Sequence, residues 1–236
     1  MDLITAADTA EVSALDCRFA VLPVGSFEQH GPHLPLITDT VVACALAKML
    51  ADSYRLILLP PITISCSHEH SQWAGTVSIS MSTLASMIGD IRASLKVSGV
   101  DQLIVVNAHG GNYGLSNVVQ EANSIGDTPS MALYPGRDEW TAARLAAGVE
   151  TTNHEDMHAG ELETSILMHV SPELVKESYK TADHVADHRP HLLISGMARY
   201  TETGVIGRPS LASASKGSAA LESLVQQFVD HLKLLS

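Results

Sequence analysis

Cysteine is scarce in this sequence. Only Cys17, Cys44 and Cys66 occur, far apart and with no Cys-x-x-Cys pair. That excludes a zinc ribbon and a disulfide framework, and it fits small buried thiols in a reducing compartment. Basic residues are also few: 14 Lys and Arg against 26 Asp and Glu give a net charge of -12. Phosphate neutralisation needs clustered Lys and Arg, so no nucleic-acid or anionic-lipid partner is expected. No apolar run approaches the roughly 18 residues of a membrane span. The start, MDLIT, lacks a basic segment followed by an apolar one, so no secretory signal is expected and a cytoplasmic protein is. The nucleophile elbow of a serine hydrolase is missing as well, because Gly25-Ser26-Phe27-Glu28-Gln29 has no second glycine.

What is present is apolar sequence and histidine. The chain has 236 residues, 45% of them hydrophobic and 17% charged, which argues against disorder and against a coiled coil. At about 150 residues per domain, one domain over 1–236 is the economical reading. Twelve histidines are about twice the usual number, and several sit beside acids or glycines.

Strand-length apolar runs alternate with helical patterns. Strands are expected at 18–24, 55–62, 76–80, 102–107 and 130–134. Helices are expected at 40–50, 82–97, 113–125, 137–147 and 160–170, with an amphipathic closing helix at 216–235. This alternation predicts an α/β fold: a three-layer α/β/α sandwich around a mostly parallel sheet. Ligands of such sheets bind beyond the carboxyl ends of the strands. Two polar clusters directly follow expected strands, so they should meet at one edge.

The first cluster is Gly25-Ser26-Phe27-Glu28-Gln29-His30-Gly31-Pro32-His33, continuing to Asp39. Glu28 and His30 point to the same side of an extended segment, and Asp39 can return to them across the proline-rich loop. The set suits a divalent metal. The plainer alternative is a polar loop with Asp39 capping the next helix. The second cluster, Asn107-Ala108-His109-Gly110-Gly111-Asn112, presents His109 at a strand tip, with glycines that allow close backbone approach. It lacks the lysine and spacing of a P-loop, and its plainer alternative is a tight strand-to-helix turn. In the third, His158-Ala159-Gly160-Glu161-Leu162-Glu163, the three-residue spacing puts His158 and Glu161 on one helical face. Glu163 projects away from Glu161 and is read as structural. Together, Glu28, His30, Asp39, His109 and Glu161 fit two adjacent divalent ions sharing one carboxylate, with His158 left for proton transfer.

GSFEQHGPHLPLITDT (25–40), SHEHSQWAGTVSIS (67–80), NAHGGN (107–112) and HAGELETS (158–165) together resemble the creatininase family of metal-dependent amidohydrolases. The resemblance implies an α/β/α sandwich, a two-metal centre holding zinc, manganese or iron, a cytoplasmic location and assembly as a homo-oligomer, often a hexamer. By position, Glu28 and His30 fall on metal ligands, Asp39 on the bridging carboxylate, His109 on a ligand of the first metal and His158 on a proton-shuttling histidine. Two positions depart from the pattern. Gly111 stands where creatininase has a glutamate ligand, which leaves Glu161, water or nothing to replace it. Met157 stands where creatininase has an acid, and the tryptophans that close its pocket have Trp140 as the only nearby counterpart. The expected substrate is accordingly a small-molecule amide, cyclic or not, other than creatinine. The alternatives are a peptidase that trims a small modified peptide, as in mycofactocin maturation, and a metal-binding homologue without catalysis. His33 and His70 are expected to hold neighbours by hydrogen bonds rather than to bind metal. His184, His188 and His191 are read as surface or subunit contacts.

Overall fold

Two apolar six-residue runs form the centre of the molecule. In the computed structural model, which describes residues 4–235, they are β1 (Phe19–Val24) and β3 (Gln102–Asn107). They pair in parallel from Phe19–Gln102 to Val24–Asn107. The two-residue β2 (Ile57–Leu58) flanks β1, and β4 (Met131–Tyr134) flanks β3, giving the order β2-β1-β3-β4 with every neighbour parallel. A strand covered on both faces must be apolar at successive positions, and Ala20 to Val24 are all buried.

Alternate side chains enter different cores. Val21, Ile104 and Val106 face the layer of α2 (Thr38–Tyr54), α5 (Arg137–Ala146), α6 (Glu161–Val170) and α8 (Ala214–Gln227). Ala20, Leu22, Leu103 and Val105 face α3 (Met81–Val97) and α4 (Leu115–Asn123). Among the described residues the remaining α-helices are short: α1 (Thr9–Leu15), α7 (Leu192–Ser195) and α9 (Val229–Leu235). The protein is thus the α/β/α sandwich that the alternation of patterns predicts. Among the described residues, no helix is long and apolar enough to cross a membrane.

Three local expectations change. The run at 55–62 gives only a two-residue strand, because Pro60 and Pro61 cannot donate to a ladder. Segment 76–80 forms no strand; Val77 makes one antiparallel bridge to Phe27, and Ser80 caps α3 through the backbone amide of Thr83. The closing helix is interrupted at Phe228, whose ring lies fully buried beside Tyr54 and Tyr134, with centroids 5.5 and 5.0 Å away.

The sheet edge sets the site. Val24 and Asn107 are paired, and the amide of Ala108 still donates to the carbonyl of Val24 at 3.1 Å. The loops carrying Glu28, His30 and His109 therefore leave the sheet side by side.

Candidate metal centre

Three carboxylates and four imidazoles converge at that edge. Asp39 lies in the first turn of α2 and is buried. Its two oxygens face opposite ways. Oδ1 is 3.1 Å from His30 Nε2, whereas Oδ2 is 3.0 Å from His109 Nδ1 and accepts a 2.6 Å hydrogen bond from Ser26 Oγ. Glu28 Oε1 lies 3.2 Å from His109 Nδ1, and Glu163 Oε2 lies 3.9 Å from His30 Nε2. Asp39 thus joins one group, Glu28 with His109, to another, His30 with Glu163.

Backbone carbonyls fix the imidazole tautomers. A carbonyl can only accept, so the ring nitrogen facing it must carry the proton. His30 Nδ1 donates to the carbonyl of Glu28 at 3.1 Å, and His109 Nε2 to that of Cys66 at 2.7 Å. The nitrogens left free, His30 Nε2 and His109 Nδ1, are those facing the carboxylates. Orientation of metal-binding histidines commonly takes this form. His158 Nε2 donates to the carbonyl of Gln29 at 2.6 Å, and its Nδ1 faces Glu28 Oε1 at 3.8 Å. His70 is held differently. Gln29 Oε1 accepts from the amide of Gly31, so its Nε2 donates to His70 Nδ1 at 2.9 Å. The protonated Nε2 of His70 then faces Glu28 Oε1 at 3.3 Å.

The donor set fits a divalent cation. Both carboxylate oxygens of Glu28 are buried without a hydrogen-bond partner. A buried carboxylate left in that condition is costly, and a cation relieves it. Ligand atoms of Glu28, Asp39 and His109 lie within 4.8 Å of one another, as do those of His30, His158 and Glu163. Mixed nitrogen and oxygen donors of this kind suit zinc, manganese or iron. The protonation of the groups reflects the same crowding. Burial opposes charge on His30, yet adjacent Asp39 raises its pKa to about 9. Burial raises Glu163 to about 7 and lowers His70 to about 4. Burial, reinforced by His30 and His70, holds His158 well below the usual imidazole range.

Glu161 is not in this cluster. Its buried carboxylate accepts from the amides of Glu150 and Thr151 at 3.1 and 3.0 Å, from Thr151 Oγ1 at 2.8 Å and from Lys216 Nζ at 2.6 Å. The expectation fails because His158 precedes the helix rather than lying on it. His158 pairs with Ile206 in an isolated bridge, and α6 begins only at Glu161. The shared helical face therefore does not exist. Glu163, read as structural, is the carboxylate delivered to the centre, with its Oε2 held by the amide of Ala159 at 2.6 Å. The same eight-residue motif contains both acids, and its spacing alone gives no signal that separates them.

The family model described as creatinine amidohydrolase matches residues 3–232. The chain belongs to the creatininase family. The mycofactocin precursor peptide peptidase of Mycobacterium ulcerans is 35% identical over 226 residues, covering 90% of this chain and 83% of the relative. A solved creatinine amidohydrolase (creatininase) superposes with a TM-score of 0.79 at 26% identity, covering 94% of this chain and 92% of that one. A solved creatininase described as the Mn form gives 0.76 at 25% identity, covering 95% and 93%. As a member of this family the protein is a hydrolase of C–N bonds. Within this creatininase-family enzyme, Gly111 has no room for a side chain: a Cβ there would stand 2.0 Å from Glu69 Oε1 and 2.4 Å from His109 Nε2.

Proposed function

We propose that this protein is an amidohydrolase that opens a non-peptide C–N bond of a small molecule at a centre for two divalent cations. The observation that carries this reading is the orphaned Glu28 carboxylate beside an Asp39 whose two oxygens serve two separate His–carboxylate groups. Glu28, Asp39 and His109 would hold one cation, and His30, Asp39 and Glu163 the other. Such cations supply Lewis acidity toward the amide carbonyl and make water acidic enough to attack near neutral pH. The remaining work falls to the protein. Ser26 fixes the Asp39 carboxylate, and the Glu28 and Cys66 carbonyls hold one ring proton on the far nitrogen, so that His30 Nε2 and His109 Nδ1 are the atoms turned toward a cation. The Gln29 carbonyl locks the proton of His158 on Nε2, which leaves Nδ1 to take up a proton and pass it to the departing nitrogen. Three free cysteines accord with a cytoplasmic setting.

A second reading, trimming of a small modified peptide, is favoured by one specific observation. A cleft of about 720 Å³ opens beside Glu163, large for a small cyclic amide, and relatives at 30–35% identity are named peptidases. The test is Asp39→Asn, assayed for bound metal and for hydrolysis of lactams, formamides and short peptides. We expect loss of at least one cation and a fall in turnover of about a thousandfold or more. Retention of both would overturn the proposal, and the substrate that wild type prefers decides between the two readings.

A further inference from the structure

The cleft beside Glu163 has a chemical polarity that neither the metal centre nor the proton relay uses. Its wall is apolar, formed by Val42, Trp140, Met157, Leu162 and Ile166. Its charged lining is almost fully engaged. Arg144 Nη1 pairs with Asp156 Oδ2 at 2.8 Å, and its Nη2 donates to the Asp156 carbonyl at 3.2 Å. His154 is tied through Nε2 to the carbonyl of Asp187 at 2.7 Å and receives Arg189 on Nδ1 at 3.2 Å. Glu163 belongs to the metal cluster. Arg137, the first residue of α5, is the exception. Among the described residues it has no carboxylate partner, and it lines the cleft while exposed to solvent. An exposed arginine is ordinary; an unpaired one on the wall of an apolar cleft that also reaches Glu163 has its donors free for a carboxylate or phosphate.

A neighbouring cavity has an acid on its wall and no arginine or lysine. Tyr113 also borders this second cavity of about 350 Å³, lined by Glu69, Gln72, Gly111 and the α7 turn. Glu69 leans toward the cluster there, 3.8 Å from His109 Nε2. Glu69 disfavours an anion in that cavity, and Arg137 favours one in the cleft beside Glu163.

We infer that Arg137 captures a carboxylate or phosphate on the substrate of this hydrolase, an amide whose apolar body lies along Trp140, Met157 and Leu162. This rests on the amidohydrolase reading and narrows it to anionic amides. Trp140 reports on the cleft directly, since Trp73 is the only other tryptophan. In metal-loaded protein carrying Trp73→Phe, the fluorescence of Trp140 is titrated with 4-phenylbutyrate, 3-phenylpropyl phosphate and the neutral 4-phenylbutyramide. We expect one or both anions to bind at least about tenfold more tightly than the neutral amide, as a charge-assisted contact predicts. The tighter anion identifies the source of the charge. Arg137→Gln removes that margin, while neutral amide affinity and bound metal change less than about twofold. Equal binding of charged and neutral probes, or an unchanged margin in Arg137→Gln, overturns the inference. Amide hydrolysis and metal content measured on the same samples keep the two proposals separable. An Arg137-dependent anion preference in a protein that hydrolyses none of the amides refutes the amidohydrolase reading and leaves the recognition residue standing.

Discussion

Glu161 and Glu163 differ by about 200° around the axis of α6, and the tertiary surroundings give them separate partners. Glu161 is buried against Lys216 and two backbone amides, whereas Glu163 faces His30. Glu161→Gln leaves the ammonium of Lys216, 18% exposed, without its main charge partner. We expect a loss of about 2–3 kcal/mol, read as a lower urea midpoint, with metal content per chain unchanged. Glu163→Gln should show the opposite pattern, with a near-wild-type midpoint and one cation lost. Metal loss from folded Glu161→Gln would make Glu161 a ligand. The other candidate ligands were legible because each lies in a short polar loop after an apolar strand or in the helix turn that closes it. Glu28, His30, Asp39 and His109 needed no long-range information to be singled out.

At the scale of elements, the packing of α6 on α8 aims Glu163. The two helices make close backbone contact at Gly217: a Cβ there would stand 2.1 Å from the Ser165 carbonyl oxygen. Backbone cannot swing aside as a side chain can. Gly217→Ala gains helix propensity of about 1 kcal/mol, but the forced separation should outweigh it. We expect a net loss of about 1–3 kcal/mol, seen as a melting temperature lower by several degrees. An unchanged or higher melting temperature would show that the helices tolerate separation. β1 and β3 were readable from sequence because strands buried on both faces are continuously apolar. Segment 76–80 misled because alternation reports a half-covered extended chain, whether or not a neighbouring strand is there to pair with it. The interruption at Phe228 had no sequence signal; it arises where the ring fits between Tyr54 and Tyr134.

For the whole molecule, two buried carboxylates and one half-buried, drawn from the β1–α2 segment and α6, are gathered at one sheet edge, and cations that bind them stabilise only the folded state. Protein saturated with manganese or zinc to about 100 times the dissociation constant should gain about 2.7 kcal/mol over chelator-treated protein. For a chain of this size that corresponds to a rise of about 5–10 °C in melting temperature, measured by calorimetry. An equal melting temperature with and without metal would mean that the cluster binds no cation tightly. The sequence by itself determined the layered α/β architecture, the two loops that carry most of the cluster, and the family, because these depend on local hydrophobic patterning and on motifs contiguous in the chain. The tertiary structure alone decided which glutamate of the third motif reaches the centre, which nitrogen of each imidazole is free and which arginine lines the cleft unpaired. Those outcomes depend on groups far apart in sequence, such as Lys216 against Glu161 and Cys66 against His109, whose meeting is set by how helices pack on the sheet.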